Sequence, residues 1–100
     1  MDLWGGNMGK KVRAHVIISG RVQGVFFRVE TQRAAQGNGV FGWVRNRRDR
    51  TVEALFEGSE DNIVRMLEWC KKGPALADVK HVEVEWEAFQ DEFNDFEIRY

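Results

Sequence analysis

Two short stretches of this chain hold residue types that can grip an anion and steer a water molecule. Gly20-Arg21-Val22-Gln23-Gly24-Val25-Phe26-Phe27-Arg28 combines two glycines with an arginine where a helical pattern begins. The first four N–H groups of a helix have no internal partners and carry partial positive charge, so a loop opening onto one can hold a phosphate. Arg28 adds a planar, permanently charged fork that matches two phosphate oxygens, which a lysine would meet only as a point charge. Gly24 removes a side chain where backbone must approach a ligand closely. The second stretch is Gly42-Trp43-Val44-Arg45-Asn46, whose asparagine lies 18 residues beyond Arg28.

The elements that must position these groups follow from periodicity. Val12, Ala14, Val16 and Ile18 alternate with Arg13, His15, Ile17 and Ser19, which predicts a strand with one buried face feeding the glycine loop. His15 falls on the polar side of that strand. From Phe27 the spacing becomes helical, with Phe27, Thr31, Ala34 and Ala35 on one side, until Gly37-Asn38-Gly39 stops it. Val40 to Asn46 and Thr51 to Glu57 read as two strands joined by the polar turn Arg47 to Arg50. Ser59 is an N-cap for a helix whose apolar stripe is Ile63, Met66, Leu67 and Cys70, closed by Lys71-Lys72-Gly73-Pro74. Cys70 is read as a buried apolar residue in that stripe. Val82, Val84 and Trp86 alternate with His81, Glu83, Glu85 and Glu87, and Phe96, Ile98 and Tyr100 form a short last strand. Residues 1–9 carry three glycines without periodicity and are expected to form a flexible extension to a domain over residues 10–100.

This βαββαβ order has one simple solution. A helical crossover between parallel strands is right-handed, and a hairpin strand slots between the two. The expected fold is a ferredoxin-like α+β sandwich: a four-stranded antiparallel sheet in the order 4-1-3-2, both helices on one face, plus the short C-terminal strand. Asn46 then lies two strand spacings, roughly 10 Å, from the start of the glycine loop. A phosphoryl group and one water fit that gap.

Composition limits the other options. One hundred residues with 43% hydrophobic content suit one core. A single cysteine forms no internal disulfide, and no long apolar run or signal-peptide pattern is present, so the expectation is a cytoplasmic protein with no membrane association. The net charge of −1 argues against bulk nucleic-acid binding, yet it hides +7 on residues 1–50 and −8 on residues 51–100. A basic half around the glycine loop favours a small anion there. No Ser/His/Asp set, paired carboxylates or Cys/His metal cluster stands out.

The stretch from Gly20 to Arg28 closely resembles the first signature of the acylphosphatase family, and Gly42 to Asn46 is similar to the start of its second. The resemblance covers about 90 residues, from Lys11 to Phe96-Glu97-Ile98-Arg99-Tyr100. It implies hydrolysis of an acyl phosphate to a carboxylate and inorganic phosphate, with no metal and no cofactor. By that resemblance Gly20, Arg21, Val22, Gln23, Gly24, Val25, Phe26 and Phe27 form the phosphate-binding loop, Arg28 clamps the phosphate and Asn46 positions the nucleophilic water. The implied partners are a small-molecule acyl phosphate and inorganic phosphate, the latter as product and competitive inhibitor, acting on a monomer.

One departure concerns Arg50, which stands where the second signature has glycine. If that position takes positive φ, arginine costs about 1–2 kcal/mol more than glycine; the alternative is a turn with Asp49 in the unusual conformation. Two other functions compete with catalysis. One is a non-catalytic phosphate or acyl-phosphate-binding module. The other is an RNA-binding ferredoxin-like domain, suggested by Arg45, Arg47, Arg48 and Arg50, but the strand Thr51 to Glu57 lacks the aromatic signature and brings two glutamates.

Overall fold

The alternation from Val12 to Ile18 forms β1 (Lys11–Arg21), with Ala14, Val16 and Ile18 fully buried. The computed structural model describes residues 10–100, so the extension expected over residues 1–9 lies outside the described residues. After β1 come α1 (Phe27–Gly37), β2 (Phe41–Asn46), β3 (Val52–Ser59), α2 (Glu60–Lys72), β4 (Asp78–Ala88) and β5 (Phe96–Arg99).

Both ends of α2 and the end of α1 fall where local chemistry directs. Ser59 caps α2 by accepting from the Asn62 N–H at 3.4 Å, with Glu60 and Asp61 in the first turn and Lys71 and Lys72 in the last. These charges complement the helix dipole. At the end of α1, Asn38 keeps φ −101° and uses its side chain to donate to the Ala34 carbonyl, while Gly39 takes the left-handed conformation. Thr31, buried in α1, satisfies its hydroxyl on the Phe27 carbonyl at 2.7 Å.

The sheet order is β4-β1-β3-β2-β5. Its first four strands are antiparallel in the order expected, and β5 adds to β2 in parallel, with Val44 opposite Ile98 and Arg45 opposite Arg99. The sheet is therefore mixed. Inward side chains of β1, β2 and β3 share one core with Phe27, Ala35, Ile63, Met66 and Cys70 from the helices, and Phe56 stacks on Phe96 to tie in β5. Burial pushes the Cys70 thiol up to about 12, which removes thiolate chemistry and leaves a small apolar side chain.

The opposite face is polar. Glu57, only 1% exposed, accepts from the Gln90 and Glu92 N–H groups at 2.7 and 3.1 Å, which draws the segment between β4 and β5 across that face. Trp86 departs from its strand pattern: it falls in register with Val82 and Val84 yet is 47% exposed. The reason is position, since β4 is an edge strand with a neighbour on one side only. No described helix is long and apolar enough to cross a membrane.

Candidate active site

The glycine loop leaves β1 with a break in register. Pairing between β1 and β4 shifts at Ser19/Gly20, and Gly20 (φ 122°) lies so close to β4 that an added Cβ would sit 2.3 Å from the Asp78 carbonyl oxygen. Gly20 is thus needed for strand packing and does not itself line the site. Gly24 differs. It has φ 75°, and a Cβ there would meet nothing within 4 Å, so the missing side chain leaves open space above the loop.

The helix start is unusual in a way that suits an anion. Phe26 holds the N-cap position in left-handed backbone (φ 65°), and no side chain caps the helix. The first helical bond runs from the Glu30 N–H to the Phe26 carbonyl at 3.1 Å. A serine or aspartate at the cap would accept from the first-turn amides; phenylalanine leaves them to a ligand.

Val22, Gly24, Phe26, Phe27, Arg28 and Val29 line a cavity of 240 Å³ together with Asn46. The loop and the end of β2 therefore meet, as the two intervening strand spacings require. Arg28 and Asn46 are both half-buried. Arg21, Arg47, Arg48 and Arg50 are exposed, Arg21 ending β1 and the others forming the β2–β3 turn, and none of the four lines the cavity. Acidic Glu83, Glu85 and Glu87 lie along β4, at the far edge of the sheet from β2.

Three loop residues occupy other roles. Arg21 ends β1 opposite Asp78 and does not line the cavity. Val25 is buried and lines an adjoining groove. Gln23 turns sideways, and its amide donates to the carbonyls of Arg47 at 2.8 Å and Thr51 at 2.9 Å. It ties the anion loop to the turn that follows Asn46, a long-range contact with no sequence signal of its own.

The C-terminus supplies a neighbour that periodicity alone did not assign to the site. The Tyr100 ring lies 4.7 Å from the Arg28 guanidinium, and Arg28 Nη1 is 3.5 Å from the Arg99 carbonyl. The signal was the strand pattern itself: β5 beside β2 carries Tyr100 past the level of Arg45 toward Asn46.

The turn after Asn46 resolves the question posed by Arg50. Arg47 N–H donates to the Thr51 carbonyl at 2.9 Å and Arg50 N–H to the Arg47 carbonyl at 3.2 Å, while Arg50 takes φ 75°. The Thr51 hydroxyl and N–H both donate to Asp49 Oδ1, at 2.6 and 3.1 Å. Those two bonds, the hydroxyl first, hold the Asp49 carboxyl below its ordinary value. Beside Asn46, Arg45 Nε donates to Glu53 at 2.6 Å and His15 meets the other oxygen of the same carboxylate. Burial opposes ionisation of Glu53, but the hydrogen bonds from His15 and Arg45 outweigh it and keep its pKa below the usual value. His15 is committed to that pair and stands outside the cavity lining. Among the described residues no cluster of His, Cys, Asp or Glu has metal-binding geometry.

A ferredoxin-like sandwich with an arginine beside an uncapped helix start, and an asparagine facing both, defines a small enzyme that handles phosphoryl groups. The model of the family described as Acylphosphatase matches residues 14–98. An acylphosphatase of Syntrophobacter fumaroxidans is 56% identical over 90 residues, covering 90% of this chain and 93% of the relative. One from Pelotomaculum thermopropionicum is 48% identical over 90 residues, 90% of this chain and 98% of the relative. The crystal structure of acylphosphatase from Bacillus subtilis superposes with a TM-score of 0.86 at 35% identity, covering 89% of this chain and 99% of that one. The chain belongs to the acylphosphatase family and is an acyl-phosphate-hydrolysing enzyme.

Proposed function

We propose that the loop amides and Arg28 hold the phosphoryl oxygens of an acyl phosphate while Asn46 orients the water that attacks phosphorus. The observation that carries this reading is the single cavity lined by the loop, Arg28 and Asn46. A new bond forms between the water oxygen and phosphorus as the bond from phosphorus to the acyl oxygen breaks. The carboxylate leaves as an anion, and both water protons finish on the phosphate product. Because a carboxylate is a good leaving group, positioning and charge stabilisation suffice without a strong protein base.

Position supports this division of labour. Arg28 lines the cavity from the first turn of α1, and Asn46 lines it from the end of β2. Gln23 holds these halves in register through the Arg47 and Thr51 carbonyls. All of these groups come from one chain, which fits a monomer, and a free buried thiol at Cys70 fits the reducing cytoplasm. On β3, Glu53 is paired with Arg45 and His15, and Glu57 is buried beneath the segment between β4 and β5, so this strand offers a polyanion no open basic face.

The test is phosphate release from acetyl phosphate, with inorganic phosphate added as a competitor. The expected result is turnover that phosphate inhibits competitively, since substrate and product share the cradle. Folded protein that binds phosphate yet releases none from the substrate would establish the non-catalytic binding module instead.

A further inference from the structure

The phosphate cavity says nothing about the acyl group, but its neighbour does. A groove of 410 Å³ runs alongside the loop, lined by Val25, Phe26, Trp69, Pro74 and Leu76 with Glu30 at one side. Phe26 is common to both spaces, forming the wall between groove and phosphate cavity. No basic residue lines the groove, and its one ionisable residue, Glu30, is a carboxylate paired with Arg33 at 3.1 Å.

Two features here cost stability and have no role in the core. Phe26 holds a left-handed backbone, roughly 1–2 kcal/mol unfavourable for a residue with a Cβ, and the residue is 67% exposed. Leu76, across the groove, is 62% exposed. Beneath them Trp69 is fixed edge-on against Phe27, centroids 5.5 Å apart, so the floor is rigid. Exposed apolar walls over a rigid aromatic floor, continuous with a polar site, are what a substrate's apolar portion requires.

Topology gives the groove its direction. Asn46 lies on the β3–β2 side of the loop, whereas the segment from Pro74 to Ala77 leads into β4, whose first residue pairs with Arg21 on the other side of β1. In-line displacement puts the attacking water and the leaving group on opposite sides of phosphorus. With water held from the Asn46 side, the leaving carboxylate and its substituent point to the groove. We infer that this groove is the acyl subsite and that it selects uncharged, apolar acyl groups, a refinement that rests on the acyl-phosphate reading above.

A series of acetyl, butyryl and hexanoyl phosphates tests this, because their leaving carboxylates have nearly equal basicity and differ only in apolar length. The expected kcat/KM rises roughly tenfold from acetyl to hexanoyl phosphate, the scale of partial burial of a few methylenes. Succinyl phosphate, which adds a distal carboxylate at the length of butyryl, is expected to be the poorer of that pair. Leu76→Asp should flatten the hexanoyl-to-acetyl ratio to within about twofold and Leu76→Met should restore it, both with thermal midpoints close to wild type because the side chain is exposed. A flat series in the wild type, or a ratio that Leu76→Asp leaves intact, overturns the acyl subsite while acetyl phosphate turnover keeps the parent reading standing. No turnover of any member overturns both.

Discussion

Two turns meet at one end of the sheet, and each bends through a residue at φ 75°: Gly24 in the anion loop and Arg50 in the β2–β3 hairpin. The same backbone conformation is filled by opposite residue types. At Gly24 the side chain is absent and open space lies above the backbone, inside the cavity lining. At Arg50 the side chain is exposed, and the turn is closed by its own hydrogen bonds and by Asp49 holding Thr51. The loop must have both the conformation and the vacancy; the hairpin needs only the conformation. That difference is the one the proposed phosphate cradle calls for: a ligand would need the vacancy at Gly24, whereas the hairpin answers only to its own chain.

The largest effects should come from the group each turn positions. Arg28→Ala is expected to lower kcat/KM for acetyl phosphate by about 10²-fold or more, and Asn46→Ala to lower kcat by about 10²-fold, as for donors that act in the transition state. Both should leave the thermal midpoint nearly unchanged, since neither side chain belongs to the core. Steady-state assays beside thermal melts check this, and wild-type activity in either variant removes that residue from the chemistry.

The link between the turns comes next. Gln23→Leu removes two hydrogen bonds to hairpin carbonyls, worth about 1 kcal/mol each at most in a half-exposed setting. Its expected signature is a fall in kcat of several-fold with little change in KM, because the water-holding half drifts while the anion loop persists. A rise in KM alone, or no change in either constant, would show that the turns hold their places independently.

Smallest is Arg50→Gly. Relieving the left-handed strain should stabilise the fold by about 1 kcal/mol and raise the thermal midpoint by several degrees. A midpoint at or below the wild-type value would mean that the Asp49–Thr51 pair already absorbs the strain.

The sequence carried much of this because the deciding signals are local. Alternation in Val12 to Ile18, helical spacing from Phe27 and the Ser59 cap locate elements by period and capping chemistry, and chain handedness then fixes the first four strands. Strand order brings Asn46 to the loop without any further information. Less was legible where two distant segments choose each other. Gln23 reads only as a cradle residue, and the bonds its side-chain amide makes to the hairpin, 24 and 28 residues away, have no local signal. Tyr100 reads as a strand end until parallel pairing carries it over Arg28. Whether Arg50 or Asp49 takes positive φ depends on which hydrogen bonds Thr51 makes, and the acyl groove exists only once α2 and β4 bring Trp69 and Leu76 to Phe26.

The central claim is that the loop half binds phosphate and the hairpin half positions water. It is tested most directly by the inhibition constant of inorganic phosphate in wild type, Arg28→Ala and Asn46→Ala. Loss of the arginine should raise that constant by roughly tenfold or more, the scale of a charge-assisted fork to phosphate, and loss of the asparagine should leave it within about twofold. An Asn46→Ala enzyme that loses phosphate affinity as severely as Arg28→Ala, or an Arg28→Ala enzyme that keeps it, would contradict the division.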